Sequence, residues 1–503
     1  MAHMSDTIAG PPRNAGVLLH PTSLPGRYGV GDLGDELTVF LDWAAGAGFK
    51  LWQVLPLNPP GYGASPYGCL SSFAGNPLLI SPQRLLQEGL LSPEAVADVP
   101  HFADAHVEFE PVSELKTRLL RESFAQFGRE ASEEQRASFE TFIAFENEAW
   151  LAEFALYMAL KEHHGGSAWW QWDKPYARRD DKALFAARRD FADDIRFHQY
   201  VQWLFFRQWA SVRDAAHARG IHIMGDVPIY VAGDSADVWA NPGLFQLDDE
   251  GNPTVVAGVP PDYFSATGQR WGNPLYRWDV MRETGFAWWI SRISTNLRFA
   301  DMIRLDHFRG FAAYWEIPAS EPTAVHGRWM PGPGVALFEA IRDALGNLPL
   351  VAEDLGFITQ DVHDLRHAVG LPGMKILQFG FAQTDSPHLP HRYEPQTVVY
   401  TGTHDNDTAR GWFETAPEGE QEAARLYTGT GEPIAWGLIR LAYTSVAQTA
   451  IIPVQDILAL GGEARMNRPG AETDNWSWRM HFGALTHEHA DRLRRLGELT
   501  GRI

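Results

Sequence analysis

The sequence predicts a (β/α)8 barrel interrupted by an inserted helical region, and two observations carry that prediction. About eight short apolar runs of strand character alternate with helix-patterned stretches, which favours a closed parallel barrel over an open doubly wound sheet. Four of the runs lead into carboxylate-bearing segments: GDVPIY (225–230), RLDHFRG (304–310), AEDLG (352–356) and GTHDNDT (402–408). In a parallel barrel the C-terminal strand ends are where active sites gather.

Taken in order, GVLLH (16–20) and KLWQVLPL (50–57) read as buried strands separated by the amphipathic helix ELTVFLDWAAGAG (36–48), a βαβ start. The third strand, in GIHIMGDVPIYV (220–231), arrives late. Between lie helical patterns such as LKTRLLRESFAQF and FETFIAFENEAWLAEFALYMALKEH, so residues 85–191 are expected to form an inserted helical subdomain. The aromatic run FHQYVQWLFFRQW has helical period and is expected to pack on the barrel. Then follow MIRLDHF (302–308), LPLVAED (348–354), MKILQFGF (374–381), TVVYTGTHD (397–405) and AIIPVQDIL (450–458), spaced by helices such as GVALFEAIRDALG (334–346). The catalytic barrel is thus assigned to 16–84 and 192–503, and residues 1–15, opening MAHM, to a disordered or tag-derived N-terminus.

Composition narrows the function. The 503 residues are 45% hydrophobic and 21% charged, as in soluble globular proteins, and no window is apolar enough to span a membrane. A formal charge of −21 disfavours nucleic acid or anionic membrane as partner, because both rest on Lys and Arg neutralising phosphates. A single cysteine, Cys69, allows no intramolecular disulfide and suits a reducing cytoplasm; a buried thiol is expected. Glycine-rich phosphate or dinucleotide fingerprints are missing, so no organic cofactor is expected.

Acids grouped at strand ends suit cleavage of an acetal, where one carboxyl stays protonated while another is ionised. Arg304 precedes Asp306 by two residues, so in a strand both share a face and the guanidinium favours the charged carboxylate. Glu353 has no basic neighbour in AEDLG and is followed by Asp354, leaving it free to hold its proton as general acid/base. Taken alone, Arg304 and Asp306 read better as a structural ion pair, and it is the four segments together that favour the catalytic reading. His404, Asp405 and Asp407 could be read as metal ligands, but strand alternation would send His404 and Asp405 apart, so no metal is expected and these side chains are read as partners of sugar hydroxyls. The pairs His163/His164 and His487/His489 suit no zinc spacing and read as solvated surface.

These segments, together with LLHPTSLPG (18–26), LWQVLPLNPPGYGASPY (51–67), SSFAGNPLLI (71–80), VPPDYFSATGQRWGNPLYRWD (259–279), ARMNRPG (464–470) and NWSWRM (475–480), resemble the amylomaltase family, the 4-alpha-glucanotransferases or disproportionating enzymes of the α-amylase clan. The resemblance runs from about residue 16 to 480 and is weakest in the helical insertion. It implies a TIM barrel of the α-amylase type with inserted helical subdomains and no separate C-terminal β-domain. It implies a retaining transferase that moves a segment of an α-1,4-glucan to the 4-hydroxyl of another glucan or of glucose, without metal or cofactor. Apart from the resemblance, a cytoplasmic protein working as a monomer is expected. Carried over by position, Asp306 is the nucleophile, Glu353 the general acid/base and Asp405 the third carboxylate. Arg304, His404, Asp226, Tyr67 and Asn467 become substrate contacts, and Tyr62 part of a second glucan site. The stretch 258–278 resembles the family's lid, with Trp271, Asp262 and Gln269 reaching sugar. Its residues alone suggest the same: Gly258, Gly268 and Gly272 as hinges, and Tyr263, Phe264, Trp271 and Trp278 as flat faces, although a proline-rich loop packed on the rim reads as well. Ala266 replaces a glutamate found in relatives, and Gly68-Cys69 departs from the glutamine that usually follows SPY. Two alternatives remain open at this point: an α-1,4-glucan hydrolase using the same residues, and a non-catalytic glucan-binding protein.

Overall fold

The computed structural model describes residues 13–261, 265–429, 431–471 and 473–503, with the Tyr62 side chain outside that set. Twelve strands run through the described residues: β1 (Asn14–Leu18), β2 (Leu51–Gln53), β3 (His222–Pro228), β4 (Val255–Val259), β5 (Gln269–Pro274), β6 (Met302–Asp306), β7 (Ala313–Pro318), β8 (Arg328–Pro331), β9 (Leu350–Ala352), β10 (Gly373–Ile376), β11 (Thr397–Tyr400) and β12 (Thr449–Pro453). Eight form one sheet in the order β10-β11-β12-β1-β2-β3-β6-β9, every pairing parallel. The amide of Ala352 donates to the carbonyl of Pro372 (2.9 Å) and draws β9 to the start of β10, bringing the sheet round to a barrel. Each barrel strand overlaps one of the eight runs read from the sequence, with β1, β10 and β12 beginning one or two residues ahead of theirs. All but β1 are shorter than their runs, whose C-terminal residues have already turned into a loop or a short helix.

Strands of a parallel barrel are covered on both faces, by the interior and by the helices, which is why their sequences are continuous apolar runs rather than alternating ones. Every residue of β11 (TVVY) and β12 (TAIIP) is buried. The long helix Ala192–Ala218 holds the insertion to the barrel. Trp209 donates its indole N–H to the carbonyl of Phe299 (2.9 Å) and lies 5.9 Å from Trp52 of β2. Tyr200 and Trp203 face the other way, onto Phe127 and Phe139 of the helices Phe109–Glu130 and Glu133–Glu146. The aromatic run therefore packs in two directions, not against the barrel alone.

The sequence reading missed a second sheet. Strands β5-β4-β7-β8 pair antiparallel, so the stretch expected as a lid loop is largely a hairpin built on β7. Gly258 is a bulge position, not a hinge: a Cβ there would lie 2.2 Å from the carbonyl oxygen of Gln269. Trp278 offers no face to sugar, since it opens a short helix and is buried beside Tyr276 and Trp289. Of the expected N-terminal tail, residues 1–12 lie outside the described set, and β1 begins at Asn14, inside the range assigned to disorder. After β12 the chain holds no further strand among the described residues. It closes with the helix His487–Thr500, which lies against Asp35–Gly46 through Arg494 and the carbonyls of Ala45 and Gly46. No helix of the described residues is long and apolar enough to cross a membrane.

Candidate active site

Arg304 lies at the centre of the cleft. It sits on β6 with Asp306 two residues on, and β6 pairs with β3 so that Arg304 aligns with Asp226. Alternation puts all three side chains on the interior face. One guanidinium nitrogen donates to both oxygens of Asp226 (2.8 Å each), and the other lies 2.8 Å from an oxygen of Asp306. Arg304 is 3% exposed and Asp226 fully buried, whereas Asp306 keeps 27% of its side chain open. Thus the guanidinium clamps a buried acid and presents an accessible one. Burial pushes the Asp226 carboxyl up to about 7 despite Arg304, and the Tyr67 hydroxyl donates to it as well (2.9 Å).

Glu353 follows β9, the neighbour of β6 on the other side. One carboxylate oxygen accepts from the amide of His307 (2.7 Å) and the other from the amide of Leu355 (3.0 Å). Because His307 is the residue after Asp306, Glu353 and Asp306 flank the same spot. Burial holds the Glu353 proton well above the usual carboxylate range; Arg304 opposes this and the Asp306 charge reinforces it. His307 takes a left-handed backbone (φ 50°), a conformation costing a non-glycine residue roughly 1–2 kcal/mol. Its ring is desolvated, which pushes its proton affinity down to about 4, and it meets Trp271 edge-on at 4.8 Å.

His404 and Asp405 do converge, contrary to the alternation expected of them: the His404 Nε2 lies 3.3 Å from an Asp405 oxygen. β11 ends at Tyr400, so residues 401–406 form a turn in which strand alternation no longer holds. Asn467 donates to Asp405 (2.6 Å) and Arg465 to its main-chain carbonyl (2.7 Å). Asp407 turns away to accept from the amide of Thr408. Tyr67 stacks on His404 at 5.1 Å and 14°, with Trp476 against both rings. Burial lowers the proton affinity of His404, which keeps the imidazole neutral.

The sites predicted from sequence therefore come together around one cleft in the cases of Asp226, Arg304, Asp306, Glu353, Tyr67, His404, Asp405, Asn467 and Trp271. Gln269 sits on β5 and accepts from the Trp271 indole (3.1 Å). Asp262 and the Tyr62 side chain lie outside the described residues. His307, Arg465 and Trp476 were missed as individual site residues. Each lies inside a segment that carries the resemblance, RLDHFRG, ARMNRPG and NWSWRM, and that was the signal available for them. His164 is not plain surface either, since its ring stacks on Trp172 at 5.3 Å. Cys69 is buried and its thiol pushed up to about 12, which leaves it unreactive.

An accessible carboxylate beside a buried, proton-retaining one at the C-terminal face of a parallel barrel defines a carboxylate-dependent enzyme of glycosidic bonds. The chain belongs to the 4-alpha-glucanotransferase family Glyco_hydro_77, whose pattern matches residues 19–486, and its activity class is that of a 4-alpha-glucanotransferase. It is 52% identical to the 4-alpha-glucanotransferase of Thermus thermophilus, covering 98% of this chain and 99% of that one. Against the Synechocystis 4-alpha-glucanotransferase the identity is 49%, with 97% and 98% covered. The structure superimposes on the amylomaltase from Streptococcus agalactiae in complex with acarbose with a TM-score of 0.94, at 39% identity over 97% of this chain and 99% of that one.

Proposed function

We propose that the cleft transfers α-1,4-glucan segments by double displacement. An Asp306 oxygen attacks the anomeric carbon while the Glu353 proton passes to the departing glycosidic oxygen, leaving a glycosyl ester on Asp306 and a carboxylate at Glu353. The 4-hydroxyl of a second glucan, or of glucose, then loses its proton to Glu353 and displaces Asp306, so the bond is remade with its configuration retained. Asp405, positioned by Asn467 and His404, accepts from ring hydroxyls, and Tyr67 forms the floor beneath the sugar. Trp271 closes the cleft from the β4-β5 hairpin. The observation that carries this reading is the clamp of Arg304 on Asp226 and Asp306 beside a buried Glu353 that keeps its proton. A single buried thiol suits a reducing compartment such as the cytoplasm.

The test is incubation with maltotriose, following the product ladder and total reducing ends together. Transfer yields glucose and longer oligosaccharides at nearly constant reducing ends. A steady rise in reducing ends without longer products would mean that water is the acceptor and overturn the reading. Asp306→Asn should lose turnover by at least about four orders of magnitude yet still bind maltooligosaccharide, as expected when a nucleophile is removed.

A further inference from the structure

At the N-terminal face of the barrel, away from the cleft, three side chains converge that no step above uses. His217 comes from the last turn of the helix Ala192–Ala218, His222 is the first residue of β3, and Asp301 immediately precedes β6. One ligand-type atom from each lies within 4.8 Å of the others. His217 Nε2 is 2.9 Å and His222 Nδ1 3.7 Å from the same oxygen of Asp301, with the two rings 5.7 Å apart. That oxygen also accepts from the amide of Ile223 (2.8 Å), while the other oxygen is held by Arg213 (3.2 Å). The carboxylate is thus fixed in place, with one oxygen reached by both imidazoles and the other 3.0 Å from His217 Nε2 as well. The rise along β3 from His222 to Asp226, and along β6 from Asp301 to Asp306, puts the cluster roughly 13–17 Å from the acids of the cleft.

We propose that His217, His222 and Asp301 form a divalent transition-metal site of zinc type. Two imidazole nitrogens and one carboxylate oxygen are a donor set for zinc, cobalt or nickel, whereas calcium and magnesium want oxygen ligands throughout. With bonds of about 2.0–2.2 Å, ligand atoms around a tetrahedral zinc stand about 3.3–3.5 Å apart, and the two distances to the Asp301 oxygen, 2.9 and 3.7 Å, bracket that value. His222 is two-thirds exposed and free to swing the remaining distance. Binding uses the Nε2 lone pair of a neutral His217 whose hydrogen is on Nδ1, in place of the His217–Asp301 contact, and a water completes the fourth position. A bound ion ties the end of the long helix to two adjacent barrel strands, so its effect is on stability and not on the chemistry in the cleft.

The test uses the full chain freed of metal by chelator and titrated with zinc by calorimetry and thermal unfolding, and with cobalt by visible absorption. We expect one saturable zinc equivalent, a Tm that rises with zinc, and the visible cobalt bands of a four-coordinate nitrogen/oxygen site. His222→Ala should weaken zinc binding by more than about tenfold, erase the cobalt bands and leave metal-free maltotriose turnover unchanged. His217→Gln provides a second variant from a different element. Zinc binding that is the same in His222→Ala as in the parent, or no saturable binding below millimolar zinc, would overturn the proposal and leave the trio an ion-pair cluster.

Discussion

Replacing Arg304 by lysine keeps the charge and removes the fork, and so tests whether the fork is what organises the cleft. Arg304 makes three contacts of 2.8 Å, two to Asp226 and one to Asp306. A single ammonium on a flexible stem can hold one of these carboxylates but not both. The hydrogen bond that lysine cannot make is charge-assisted and worth roughly 1.5–3 kcal/mol, and a buried carboxylate left unpaired raises the cost toward about 3–5 kcal/mol. Asp226 has an escape, since its carboxyl is already pushed up to about 7 and can take a proton. We therefore expect a stability loss near the lower end, about 2 kcal/mol, read from the urea midpoint. Misplacement of Asp306 should cost about 2–4 kcal/mol in the transition state, or roughly 30- to 1,000-fold in kcat for glucose release from maltotriose. Adding Asp226→Asn should relieve the stability defect without restoring turnover. A lysine variant with kcat within about threefold of the parent and an unchanged midpoint would refute the reasoning.

Glu353→Gln should lower turnover of maltotriose by about 100- to 10,000-fold and cost far less in the first-step release of fluoride from α-glucosyl fluoride, whose leaving group needs little protonation; equal losses on both would remove Glu353 as the acid. Because its proton is held well above the usual carboxylate range, the competent acid is present below that raised pKa, and kcat/KM should fall as pH rises through it. A pH profile of the glutamine variant on the fluoride should lack that alkaline limb. Trp271→Ala removes a side chain 39% exposed and leaning on His307, so KM should rise about 3- to 10-fold, the worth of one ring contact, with the urea midpoint unmoved. A fall in kcat at constant KM would contradict that role.

The barrel was legible because burial on both faces writes each strand as an apolar run, and none of the eight was misplaced. The second sheet was not legible for the opposite reason. Its strands VVAGV, QRWGNP, AYWEIP and RWMP are short, each carries glycine or proline, and all but the first hold exposed residues that blur any period. They are strands because they pair, and the ladder that joins the two hairpins, β4 with β7, links residues about 60 apart and leaves no local trace. In the site, Arg304 and Asp306 could be placed on one face from their spacing alone, since both lie within β6. His404 and Asp405 could not, because the strand rule was applied past the strand's end. The amide of His307 as a donor to Glu353 was invisible, since a main-chain hydrogen bond depends on backbone shape and not on residue type.

The antiparallel sheet bears on how such an enzyme can diversify. β7 begins seven residues after Asp306, and β4 of the cleft-side hairpin pairs directly with it, so residues 255–274 and 313–331 constitute one exchangeable cassette split in two along the chain. A chimera that imports a new hairpin alone would strand the edge of β7 and disturb the turn that carries His307. Importing both pieces keeps every rung of the ladder and alters only the tip and the outward faces. Recombination within the family is therefore expected to conserve the two pieces jointly, and a library aimed at acceptor choice is best drawn with both boundaries in mind.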